Sequence, residues 1–183
     1  SDAQRELVTC TVLSVLQTLP QLKAHLNAAL NIGVTPLALR EALYQCAPFI
    51  GYPRTLNAIA VLNEVFEARE IKLPLENQVD FEDELRYEKG LEIQMPIYGT
   101  EIKERYSYLP NQMAEALPRF LTEWGFGDFY ARKALDIQTR ELLVLCILTA
   151  LNATTQIKAH SLGNIKVGNA LEVQYAALIH CLP

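Results

Sequence analysis

Leucine, valine and isoleucine crowd residues 7–16 and again 142–151, while the stretches around these runs space their apolar residues at a helical period. A dense apolar run alone suits a buried strand or a buried helix, so its neighbours decide. Residues 20–32 place Leu22, Leu26, Ala29 and Leu30 at i, i+4, i+7 and i+8, and Gly33 stands where a helix C-cap belongs. Thr35-Pro36 reads as N-cap and first helical residue of a helix to about residue 47. Pro53 opens another to about residue 69, with Leu56, Ile59, Leu62 and Phe66 on its apolar face. Helices on both sides make the dense runs helices as well.

Residues 72–108 lose this period, contain Pro74, Gly90, Pro96 and Gly99, and gather acids at Asp80, Glu82, Asp83 and Glu84, so they read as a connector. Helix resumes from about Pro110 to Trp124, with Pro118 expected to split or kink it. Gly125-Phe126-Gly127 marks a break before a short helix at about 128–134. Trp124, Phe126, Phe129 and Tyr130 read as core, with a pocket wall as the sharper alternative.

The chain repeats itself. Residues 5–48 align without a gap on residues 140–183 at an offset of 135, and fourteen of the 44 pairs are identical. The matches include Arg5-Glu6-Leu7 with Arg140-Glu141-Leu142, Lys23-Ala24-His25 with Lys158-Ala159-His160, Gly33 with Gly168, Cys46 with Cys181 and Pro48 with Pro183. The expected organisation is a first repeat at 1–71, a connector at 72–108 and a second repeat at 109–183. The first copy lacks an equivalent of the entry helices 109–134 and the second an equivalent of 49–69. Flanking residues outside this sequence, or a neighbouring subunit, are expected to supply them.

Composition narrows the function classes. Half of the 183 residues are hydrophobic and a fifth charged, as in an ordinary globular protein. A net charge of −5 without a Lys/Arg cluster argues against nucleic acid, leaving a small-molecule substrate or protein partners. Membrane span and export signal are both unindicated, so the expected address is cytoplasmic. Cys10, Cys46, Cys146 and Cys181 contain no C-x-x-C, and they read as small core residues rather than a metal or redox set.

The chemistry-bearing residues are repeat-related: Glu6 with His25 and Glu141 with His160, each pair 19 residues apart. A histidine titrating near neutral pH beside a carboxylate can act as a proton relay or acid/base couple. The bland readings are a helix-start glutamate and a satisfied interior histidine. With a turn near residues 18–20, His25 would face about residue 13, so contact with Glu6 calls for a crossing helix, a water or the other copy. Arg5 and Arg140 are candidates to hold a substrate carboxylate, against the plainer reading of surface ion pairing. His180 aligns with Gln45, lies outside the duplicated set, and reads as an ordinary helix-end histidine.

These pieces resemble the carboxymuconolactone decarboxylase family, which includes alkyl hydroperoxidase D. The resemblance is carried by Arg-Glu-Leu at 5–7 and 140–142, His25-x7-Gly33 and His160-x7-Gly168, Ile50-Gly51-Tyr52-Pro53-Arg54 with Asn57-Ala58, and Gly127-Asp128-Phe129-Tyr130-Ala131-Arg132. It implies an all-α tandem-repeat helical bundle of the alkyl hydroperoxidase D type, assembled as a homo-oligomer. Function is less fixed than fold. In the hydroperoxidase branch, Glu6/His25 and Glu141/His160 would serve a C-x-x-C pair, but those cysteine positions hold Thr18 and Gln21, then Ala153 and Gln156. Without a thiolate a peroxide is not attacked, which disfavours the peroxiredoxin-type activity attached to the family. The decarboxylase branch lacks the cysteine pair. It implies a cofactor-independent, metal-free lyase for a small carboxylated lactone or related acid, with His25 or His160 returning a proton, Glu6 or Glu141 orienting it, and Arg5 or Arg140 holding a carboxylate. The rivals are a non-catalytic binding or assembly protein and a cysteine-dependent antioxidant.

Overall fold

The structure, a computed structural model, describes residues 1–181; the Pro48–Pro183 repeat match lies outside them. The described residues form an all-α protein without strands. The chain packs as two compact units, one of Ser1–Glu76 with the residues from Ala134 on, the other Asn77–Lys133. The segment at 109–133 thus packs with the stretch at 77–108.

In the first unit, α1 (Asp2–Leu16) starts where the Ser1 hydroxyl accepts from Gln4 N, and ends at Gln17 in the left-handed conformation, φ 58°. Helix α2 (Leu19–Asn31) follows after two residues. Gly33, at φ 87°, makes the turn that a side chain would resist. Helix α3 (Pro36–Tyr44) is capped by the Thr35 hydroxyl, which accepts from Ala38 N at 3.1 Å, as the Thr-Pro pair predicts. Helix α4 (Ala47–Ala68) is broken at Gly51 (φ 76°, ψ 168°), so its main body begins beside Pro53, where the sequence places a start.

The second repeat mirrors this order in α8 (Ile137–Ala150), α9 (Thr154–Lys166) and α10 (Leu171–His180), with Asp136 capping α8 through Thr139 N at 2.7 Å. Helix α8 is buried continuously from Arg140 to Leu148, and α1 buries seven of its fifteen residues, all between Leu7 and Val15. A helix apolar on every side needs neighbours all round, which explains the two dense runs. They form the centre of one core: Leu7, Val8 and Val12 of α1 meet Leu142, Leu143 and Cys146 of α8, with Leu22, Leu26, Leu39, Leu43 and Leu62 closing over them.

The second unit corrects two expectations. The supposed connector contains α5 (Arg86–Tyr98), followed by α6 (Glu101–Arg105) and α7 (Met113–Phe120). The expected break at Gly125–Gly127 is instead a wide helical run, π1 (Leu121–Tyr130), with i→i+5 bonding. The glycines serve contact: a Cβ on Gly90 would strike the Thr122 carbonyl, and one on Gly127 the Arg86 carbonyl. Phe126 and Tyr130 are buried with ring centroids 4.9 Å apart, and Trp124 meets Phe129 at 6.1 Å, so these aromatics are packing residues. Among the described residues no helix is long and apolar enough to cross a membrane.

Candidate active site

Each Glu/His pair forms directly within its own helical hairpin. His25 Nδ1 lies 2.9 Å from Glu6 Oε2, and His160 Nδ1 lies 3.1 Å from Glu141 Oε2. The expectation that Glu6 needs a crossing helix or a water is therefore corrected. Because α1 stops at Leu16 and α2 starts at Leu19, the hairpin centre falls before residue 18, which sets His25 opposite about residue 10. From there Glu6 is about one helical turn away, within reach of the two side chains. The left-handed Gln17 makes so short a turn possible.

The contact through Nδ1 has a chemical consequence. A carboxylate accepts, so Nδ1 carries the hydrogen and Nε2 is the nitrogen presented outward, able to take or give a proton. For His25, Nε2 has no further partner among the described residues, and its side chain is 41% exposed against 21% for Glu6. The second pair is closed in: His160 is 15% exposed, Glu141 is fully buried, and Phe49 of α4 stands edge-on to the His160 ring. Asn164 fixes that hairpin by donating to the carbonyls of Glu141 at 3.0 Å and His160 at 2.8 Å.

The arginines part company. Arg140 is fully buried; it donates to Gln45 Oε1 at 2.8 Å and pairs with Glu41 Oε2 at 3.5 Å. The carboxylate beside Arg140, expected to belong to a substrate, is in this structure the protein's own Glu41. Arg40 approaches the other Glu41 oxygen at 3.2 Å, completing a buried cluster that sequence reasoning missed. Its signal was a glutamate in the middle of the otherwise apolar face of α3. Arg5 is exposed and lines an open groove beside α10, where Thr9 Oγ1 and His180 Nε2 are 2.9 Å apart.

Thr18 and Ala153, at the first of the expected cysteine positions, are the residues preceding α2 and α9. The cysteines lie elsewhere. Cys10, Cys46 and Cys146 are buried and Cys181 is partly so. Burial pushes the Cys46 thiol up to about 12, and burial together with the nearby Glu6 carboxylate raises Cys10 further. The Cys146 thiol donates to the Cys181 sulfur, holding Cys181 below its ordinary value and Cys146 above. Among the described residues, no three His, Cys, Asp or Glu side chains converge as metal ligands.

Comparison with known proteins finds sequence similarity over part of the chain. The chain is 24% identical over 99 residues to the 4-carboxymuconolactone decarboxylase of Acinetobacter baylyi, covering 54% of this chain and 74% of that protein. It is 28% identical over 99 residues to the nitrosuccinic acid decarboxylase npaB of Metarhizium robertsii, covering 50% of this chain and 65%, just under two thirds, of that protein. The sequence model of the carboxymuconolactone decarboxylase family matches residues 1–64, which hold Glu6, His25 and all of α1 to α3. The first 64 residues, which carry the Glu6–His25 hairpin, are thus similar to the carboxymuconolactone decarboxylase family.

Proposed function

We propose that this chain is a cofactor-independent decarboxylase-like lyase acting on a small carboxylated lactone or related acid, with Glu6 and His25 as its acid/base pair. The observation that carries the reading is the 2.9 Å Glu6–His25 contact, which fixes the tautomer of His25 and leaves an outward Nε2 on a partly exposed ring. Two similar proteins bear the names of decarboxylases of small acids, which supports the reaction class.

In this reaction the bond to the departing carboxylate breaks, carbon dioxide leaves, and the electron pair passes into the neighbouring electron-withdrawing group, such as a lactone carbonyl. Protonated His25 then delivers its Nε2 proton to the carbon left behind and recovers one from water. Glu6, accepting from Nδ1 at 2.9 Å, holds the ring in the orientation that presents Nε2. The enclosed His160–Glu141 pair supports the packing of the second hairpin in this reading, because its ring lies against Phe49 and its carboxylate is out of reach of solvent. A small-molecule substrate, a cytoplasmic setting and self-association belong to the same proposal. Self-association is supported by Leu162, Ile165, Tyr175 and Ile179, apolar side chains left exposed on α9 and α10.

The test is turnover of carboxylated lactones by the wild-type protein and by His25→Gln and His160→Gln, followed by carbon dioxide release. The expected result is a loss of about a hundredfold or more for His25→Gln with only a small change for His160→Gln. Full activity in His25→Gln with an unchanged helical signal refutes the assignment. A cysteine-dependent peroxidase is the weaker reading, since Cys10, Cys46 and Cys146 are buried thiols whose ionisation is suppressed and the C-x-x-C positions hold no cysteine.

A further inference from the structure

The two repeats exchange contacts across the first unit, and one of those contacts is missing half of its chemistry. Arg140 of the second repeat reaches the first, where Glu41 supplies a carboxylate and Gln45 an amide oxygen. Exchanging the repeats by their offset of 135 converts this trio into Arg5, Ala176 and His180. At the converted place α1 meets the end of α10, where Thr9 Oγ1 and His180 Nε2 are 2.9 Å apart, and Arg5, Ala176 and His180 line one groove there. Where the buried copy has the Glu41 carboxylate, this copy has a methyl group and an open volume of about 830 Å³.

From this we infer that the groove is a binding site for a small organic carboxylate, whose carboxyl group takes the place that Glu41 fills on Arg140. Three observations support it. Arg5 makes no ion pair among the described residues, whereas its repeat partner Arg140 has one. The Thr9 hydroxyl donates to the Arg5 carbonyl at 3.0 Å, so its oxygen accepts from His180 Nε2–H and fixes that ring in the wall of the groove beside Arg5. The remaining lining includes Val8, Leu142, Ala177 and Ile179, an apolar bed for a hydrocarbon body. Glu172 also lines the groove, but it lies eight residues before His180, about 12 Å along the helix, and disfavours a second carboxylate at that end. A monocarboxylate with a compact apolar body is the class that fits.

Glu6 and His25 do not line this groove, so the site stands apart from the proposed acid/base pair and is tested without turnover. Benzoate, with neutral benzamide as control, is titrated into the full chain by calorimetry and followed by amide shifts. Saturable benzoate binding is expected, with shifts at α1 and α10 and no matching benzamide binding. Arg5→Gln weakens it at least about tenfold, as loss of a charge-assisted contact requires. Ala176→Glu, which restores the carboxylate of the buried copy, abolishes it, while His25→Gln leaves it unchanged. Absence of saturable benzoate binding, equal binding of benzamide, or undiminished affinity in Arg5→Gln overturns the inference. Loss in His25→Gln with retention in Arg5→Gln places the ligand at the acid/base pair and overturns it too. Arg5 is exposed, so its variant is readable even if Ala176→Glu fails to fold.

Discussion

The ring of Phe49, from the first repeat, stands edge-on to the imidazole of His160 in the second, with centroids 6.4 Å apart and planes at 78°. This contact and the burial of Glu141 make His160 the less accessible of the two repeat-related histidines. Diethyl pyrocarbonate is therefore expected to modify His25 several times faster than His160, as read by peptide mass mapping. Phe49→Ala should narrow the gap by speeding His160 alone. Equal rates in the wild-type protein would contradict the difference in access.

The Glu41–Arg140 pair is wholly buried, so breaking it should cost far more than a surface ion pair. Glu41→Gln leaves Arg140 without its charged partner and is expected to lower stability by about 3–5 kcal/mol in urea unfolding. The double variant Glu41→Leu with Arg140→Met should be less destabilised than Glu41→Gln, because it removes both desolvated charges. A double variant that loses more than Glu41→Gln would show that the pair contributes net stability.

Thiol reactivity should follow the local environment of each cysteine. Cys181 is held below its ordinary value of 9.0 by the hydrogen bond from Cys146, so at pH 7.5 it carries more thiolate than an unperturbed thiol. Cys10 and Cys46 are raised, so they remain protonated thiols at that pH. Titration with a disulfide reagent should give one fast group, assigned to Cys181 by mass spectrometry, with Cys10 and Cys46 reacting only on unfolding. Fast labelling of Cys10 in the folded protein would be incompatible with its burial.

Two glycines of the second unit make opposite predictions. A methyl on Gly90 collides with the Thr122 backbone, so Gly90→Ala is expected to destabilise by about 1–3 kcal/mol or more. A methyl on Gly125 meets nothing within 4 Å, and Gly125→Ala should leave the urea midpoint unchanged or raise it. Equal effects of the two substitutions would argue against close packing of α5 on π1.

The parts of the fold that were readable beforehand were those written locally. The Thr35 cap, the turn at Gly33, the start at Pro53 and the duplicated Glu/His pairs each depend on a few neighbouring residues. Direct contact between Glu6 and His25 was not readable, because it turns on the left-handed conformation of Gln17 and the two-residue link it permits. The fate of Arg140 was not readable either: Gln45, 95 residues away in sequence, accepts its hydrogen bond, and only tertiary packing brings them together. Helix α5 escaped detection because glycine contacts place it against π1, and such contacts leave no periodic apolar signature.

The 19-residue separation of each glutamate from its histidine has a consequence for how such a protein arises. Everything needed to set the two groups against each other lies inside one helix–turn–helix piece, closed by short-range contacts that form early and independently of the rest. Copying that piece copies a finished constellation. One descendant can then sink into the interior and become architecture while its sibling stays at the surface, free to acquire new chemistry without endangering the body that carries it.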